Sequence, residues 1–416
     1  MRPLRLLALA LLCGIAVPVV AQQRGDDAIA RLERNRTANP SSVAALRALG
    51  IAYYKRQRYA DAGTVLNAAR RLDPKDGVSA LYAGLSAEAL EDYTAAKDAY
   101  NSYLQVGTTR SVRNDIRLRL VALSRKELHA AAKSAIANEA RIAPQPGEAR
   151  SVAVLPMTFS GTDQTLAPLG RGLTDLLIND LARSSEVRLL ERDRIQAMVD
   201  EIALSQSGRT DAASSLRAGK LIRAGRVVQG AITQTGANNL TVNAAVMNVA
   251  TSQQQGRDVT SSDALDQIFA IEKTLALGLF DQLGVRLSAA DRAAIEQRPT
   301  RSLQAFLAYS NGLLAADDGR YDEAARFFDQ ARSIDPGFGQ ALQKAQSARA
   351  AQQGSLVTAA KVESGLANSG EGAERGLAAG STGIGATLAS AVGDVNPSAA
   401  NNVNTTTGGG QGQSQG

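Results

Sequence analysis

The chain has 416 residues, 44% of them hydrophobic, which is enough for two or three domains with sizeable cores. Its 46 Lys+Arg and 40 Asp+Glu are interspersed and leave a formal charge of +6, while aromatic residues make up only 4%. No basic run is interleaved with stacking residues, so nucleic-acid binding has little support.

The first segment, "MRPLRLLALALLCGIAVPVVAQQ", starts basic at Arg2 and Arg5, continues as an apolar run and ends in Val19-Val20-Ala21. That is the pattern of a cleavable signal peptide, placed at 1–21. Pro18 and the polar sequence after it argue against a retained anchor, and no later stretch is long and apolar enough to span a bilayer. The reading is an exported chain. Cys13, the only cysteine, falls inside the leader behind Leu12, where a lipoprotein site wants a small residue, so a lipid anchor is the less favoured reading. Cleavage after Ala21 removes two arginines and the only thiol, leaving a charge of about +4 and a fold that depends on apolar burial.

Next comes a repeat of thirty-four. "VAALRALGIAYYKRQRYADAGTVLNAARRLDPKD" carries Leu46, Leu49, Gly50, Tyr53, Tyr59, Ala62, Leu66, Ala69 and Pro74. Thirty-four residues on, Gly84, Ala87, Tyr93, Ala96 and Tyr100 recur, and Pro40 with Ala28 and Leu32 points to half a repeat before the first full one. The frame returns at 305–338 with Gly312, Tyr321, Ala324, Phe328, Ala331 and Pro336. Small residues let two antiparallel helices approach, larger ones fill between them, and proline ends the second. The pattern resembles the tetratricopeptide repeat, which implies an array at 22–110 with a concave face for a partner polypeptide. In the repeat's register Arg47, Tyr54 and Lys55 would face that groove. A single repeat cannot bury its own face, so the C-terminal one must dock on the central domain, the N-terminal array or a second chain.

Residues 111–149 show helical apolar spacing and are expected to cap the array and connect onward. The texture then changes. Strand candidates lie at 152–155, 187–190, 227–235, 240–249 and, shorter, 257–260; helix candidates lie at 167–183, 193–206, 212–224 and 264–283. "ITQTGANNLTVNAAVMNV" reads as a β-hairpin about a Gly-Ala-Asn-Asn turn. After the first strand, "PMTFSGTDQTLAPLGRG" lacks the closely spaced glycines that a phosphate cradle needs. "RAGKL" has Leu221 where a hydroxyl residue is required, and "GSTGIGA" follows no strand.

The segment 150–286 resembles the curli production assembly/transport (CsgG-like) family and the related TolB N-terminal type. The features that carry this are "VAVLPMTFSG", "LGRGLTDLLINDLARSSEVRLLERDRIQAMVDE", "LRAGKLIRAGRVVQGAIT" and "LTVNAAVMNVATSQ", in that order. The resemblance implies a mixed α/β domain in two or three layers and an envelope role, periplasmic or at the outer membrane. It leaves self-association and peripheral contact with the outer membrane open. Members of the family form secretion channels by lending two long β-hairpins per subunit to a barrel. A spanning strand needs about 9–11 alternating residues. Here 229–242 leaves room only for a tight turn, and 255–268 reads as a short strand running straight into a helix.

No catalytic, cofactor-binding or metal-ligating residue is singled out. His129 is the only histidine and reads as a surface residue. Glu191, Asp193, Asp200 and Glu201 interleave with Arg188, Arg192 and Arg194, which suggests ion pairs along a helix surface. A helix and the isolated repeat fill 287–350; from 351 onward the chain is poor in large apolar residues and is expected to be disordered. The fold expected is therefore α+β and multidomain, with helical repeats flanking the α/β domain. The function expected is a non-enzymatic adaptor that binds other envelope proteins through the repeat groove; the alternative is a subunit of an oligomeric outer-membrane channel.

Overall fold

The computed structural model describes residues 13–141, 147–205 and 212–370. Most of the expected signal peptide, and the expected tail beyond 370, lie outside the described residues. The chain divides into two compact units, residues 1–123 with 357–416, and residues 124–356.

The first unit is built of helix pairs. Helix α1 (Cys13–Ala38) precedes α2 (Val43–Lys55) and α3 (Tyr59–Leu72), then α4 (Gly77–Ala89) and α5 (Tyr93–Val106). Helix α6 (Arg110–Ala137) follows, and its first half belongs to this unit. The period of thirty-four is visible as geometry. A Cβ placed on Gly84 of α4 would lie 2.6 Å from the ring of Tyr100 on α5, and one on Gly50 of α2 would strike Leu66 of α3. Close approach of paired helices therefore requires glycine at both positions. Gln57 and Glu91, also thirty-four apart, both sit at φ 59° in the turn between paired helices. Ser42 and Asp92 cap α2 and α5 by accepting from the backbone N–H of Ala45 and Ala95. Tyr100 and Tyr103 are wholly buried with Leu49, Leu66 and Leu81 between the layers.

The second unit contains the second half of α6 and a sheet in the order β3-β1-β4-β5-β6. Strand β1 (Glu148–Val154) pairs in parallel with β3 (Arg188–Leu189) and with β4 (Ala224–Gln234), and short β2 (Thr158–Ser160) extends the pairing along β4. The sheet ends as an antiparallel meander through β5 (Asn239–Asn248) and β6 (Gln253–Ala264). The hairpin between β4 and β5 is the one the sequence indicated, with Gln234 opposite Leu240.

Helices cover both faces, because alternate residues of the central strands are apolar on each side. Val152, Val154, Val228 and Ile232 face α7 (Leu169–Leu181) and α10 (Ile268–Leu283). Ala153, Leu155 and Val227 face α8 (Arg192–Ser205) and α9 (Ala212–Leu221). The domain is thus three-layered. Three details differ from the sequence expectation. Strand β2 was not foreseen. Strand β6 has 12 residues rather than a short run, and α10 begins at Ile268 instead of 264. No residue of β6 is buried, so its pairing rests on backbone bonds that leave no apolar alternation to read.

After α11 (Ala289–Ile295), the C-terminal repeat forms α12 (Leu303–Asp317) and α13 (Tyr321–Ile334), followed by α14 (Gly339–Leu356). A Cβ on Gly312 would lie 2.6 Å from Phe328, repeating the N-terminal pattern. This repeat docks on the α/β domain. Gly172 of α7 lets Phe306 and Ser310 of α12 approach, and their core is continuous with that of the sheet. The Asp175 carboxylate on α7 accepts from the Tyr309 hydroxyl at 2.7 Å and from Lys344 Nζ on α14 at 3.0 Å. Burial raises the Asp175 pKa, but Lys344, Tyr309 and Arg192 more than offset it and hold the group below the ordinary value. Arg192 and Arg171 both reach Asp317 at the end of α12, at 2.8 and 3.0 Å.

The expectation of disorder from 351 needs correction. Helix α14 continues to Leu356, and α15 (Ala359–Ala367) follows as part of the first unit. Val357, Val362 and Leu366 are buried there. Three apolar side chains suffice because the surface that receives them is already formed by other helices.

Candidate functional site

In the first unit, α2, α4 and the first half of α6 are the leading helices of successive layers, and α15 packs against them. Thr358 starts α15 by accepting from the backbone N–H of Lys361 at 3.1 Å. Val362 and Leu366 then fall four residues apart on one face, and both are almost fully buried with Val357 in the repeat core. Gly365 passes close to Val112 of α6, 3.4 Å from where a Cβ would stand.

Charges hold both sides of α15. On one flank Lys361 Nζ lies 3.2 Å from Asp115 of α6. On the other, Glu363 pairs with Lys55 at the end of α2. Burial, the nearby Glu363 charge and Tyr54 push the Tyr82 phenol of α4 upward, and a hydrogen bond to Glu363 adds to this. Tyr54 is raised for the same two leading reasons, burial and Glu363. Its ring packs against Tyr59 and Tyr82, with centroids 5.5 and 5.4 Å away. At the entry to α15, Arg119 of α6 donates to the Val357 carbonyl at 2.8 Å while paired with Glu88, which also accepts from the Tyr100 hydroxyl at 2.9 Å.

Of the three groove residues read from the sequence, Tyr54 and Lys55 therefore meet beside Glu363. Arg47 pairs with Asp76 at 3.0 Å, where Asp76 also accepts from Ser79. The sequence reading did not include Tyr82, Asp115, Arg119 or the α15 residues. The threonine cap and the Val362–Leu366 spacing signal a short helix, but no local feature says where it packs.

In the second unit, side chains take up three backbone donors of the loop after β1. Met157 N–H donates to Thr174 at 3.0 Å, Asp163 N–H to Gln234 at 3.0 Å and Thr165 N–H to Asp163 at 3.0 Å. His129 Nδ1 lies 3.4 Å from Glu201. The arginines interleaved with carboxylates reach further than a helix surface, which corrects that expectation. Arg188 pairs with Glu148, Arg194 donates to the Ile222 carbonyl at 3.2 Å, and Arg192 pairs more closely with Asp317 than with Asp193, at 2.8 against 3.7 Å.

Comparison with known proteins places these two units. Residues 128–268 match the family model of the curli production assembly/transport component CsgG. This segment is similar to a CsgG-family domain. Residues 19–89 match the tetratricopeptide repeat model. Among solved structures, the lipoprotein GNA1162 from Neisseria meningitidis is similar at 15% identity, covering 28% of this chain and 80% of that one with a TM-score of 0.21. No curated protein matches. The CsgG-like match thus spans part of α6, the sheet and helices α7, α8 and α9, and stops where α10 begins. Among the described residues, no helix is long and apolar enough to cross a membrane.

Proposed function

We propose that this chain is an exported, non-enzymatic adaptor of the cell envelope, which grips other polypeptides through its repeat groove and assists assembly or transport of an outer-membrane or surface structure. The observation that carries this reading is the seating of α15. The inner face of α2, α4 and α6 holds a helix by three buried aliphatic side chains and an ion pair on each flank. A surface with those properties is a helix receptor, one of the recurring ways a folded domain recognises a segment. The CsgG-like match supports the envelope setting, and the leader pattern at 1–21 supports export.

The test is crosslinking and pull-down of the protein from envelope extract. Reproducible recovery of outer-membrane or surface-assembly components is the expected result. Detergent-stable rings that conduct ions in liposomes would replace this reading with that of a channel subunit. A melting-temperature shift with a nucleotide panel would replace it with an enzyme.

A further inference from the structure

We propose that α15 is a resident stand-in ligand of the repeat groove, and that the partner is an amphipathic helix of the same chemistry which displaces it. The partner helix carries two aliphatic residues four apart, with a carboxylate immediately after the first, to match Val362, Leu366 and Glu363. This deepens the adaptor reading and rests on it.

Three features make α15 an exchangeable occupant. It is nine residues long, below the length at which an isolated helix holds itself, about 12–15 residues. It contains Gly365 and Ser364, so its own helical preference is weak. It also belongs to the same chain as the groove, so its docking is intramolecular and a weak helix can fill the groove. A free helix lacking those glycine and serine penalties competes by binding more tightly than α15 does. The groove states which end of that helix goes where, because Lys55 and Tyr82 receive the carboxylate and Asp115 receives the cation.

The test uses the full chain and a fluorescent peptide of residues 355–369, read by anisotropy. Glu363→Lys sets two cations against each other in cis, so the peptide should bind at least tenfold more tightly than it does to the unaltered chain. Gly365→Ala strengthens α15 without a clash, since its Cβ would meet Val112 at an ordinary 3.4 Å, and should weaken the peptide about fivefold. The two variants must move affinity in opposite directions, which loss of folding cannot mimic. In Lys55→Glu, a peptide carrying Glu363→Lys should bind and the unaltered peptide should not.

Equal binding to all variants, or shifts of the same sign in Glu363→Lys and Gly365→Ala, would overturn the proposal. So would concentration-dependent dimers of the Glu363→Lys chain, which would assign the groove to a second copy. An envelope protein captured equally by the unaltered and Glu363→Lys chains would keep the adaptor reading and overturn this inference. Peptide exchange as expected, with no reproducible envelope partner, would overturn the adaptor reading and leave the exchange standing.

Discussion

Replacing Gly84 by alanine probes the repeat geometry and its link to the groove together. Helix propensity alone favours the change by about 1 kcal/mol, because glycine inside a helix is costly. The Cβ, however, would stand 2.6 Å from the ring of Tyr100, which is fully buried. That ring cannot retreat freely, since its hydroxyl donates to Glu88 at 2.9 Å and Glu88 in turn pairs with Arg119. Overpacking a core typically costs about 1–3 kcal/mol. A strained hydrogen bond to a charged acceptor adds up to about 1.5–3 kcal/mol. A net loss of about 1.5–5 kcal/mol is expected from these terms after the propensity gain. Gly63 of α3 supplies the control, because nothing lies within 4 Å of its Cβ position. Gly63→Ala should stabilise by about 0.5–1 kcal/mol. The assay is chemical denaturation followed by helical signal, with the earlier transition assigned by tyrosine fluorescence. If Gly84→Ala proves as stable as Gly63→Ala, the close-packed helix pair is not what the glycine provides.

Further outcomes follow from buried groups in the second unit. Burial pushes the Glu272 carboxyl up to about 8 against the opposing charge of Lys273, with Asp180 adding to the rise. The folded chain then keeps a proton that the unfolded chain releases near 4.5, so stability should fall as pH rises from about 5 to about 8. Glu272→Gln should flatten that slope in melting temperature against pH; an unchanged slope would assign it to other groups. Tyr309→Phe removes the 2.7 Å hydrogen bond to buried Asp175 and should destabilise the docked repeat by about 1.5–3 kcal/mol. Denaturation of that variant with full native stability would mean that Lys344 alone satisfies the carboxylate.

What could be read in the sequence was what repeats or alternates locally. The glycine and the large residue that meets it recur every thirty-four residues, so Gly50, Gly84 and Gly312 announced their helix pairs. Val152 and Val227 lie in apolar runs bounded by turns, so the central strands were evident. Strand β6 hid because an exposed edge strand needs no apolar row, and "QQQGRDVTSSDA" has none. Helix α15 hid because only Val362 and Leu366 stand out among small and polar neighbours, and its stability comes from a surface formed far away in the chain. The docking of the C-terminal repeat hid for the same reason. Tyr309 and Asp175 are 134 positions apart, and neither has a local feature that names the other. Of the residues beside α15, Tyr54 and Lys55 were candidates from repeat register, whereas Tyr82, Asp115 and Arg119 depend on which helix lies against them.

The face formed by α2, α4 and α6 is where we propose that this protein grips its partners. The most direct measurement is capture of envelope proteins by the full chain with the 355–369 peptide added as competitor. Recovery that falls as the peptide is raised, and that starts higher with Glu363→Lys, is the expected result. Recovery indifferent to the peptide would contradict the account and place the partner elsewhere on the molecule.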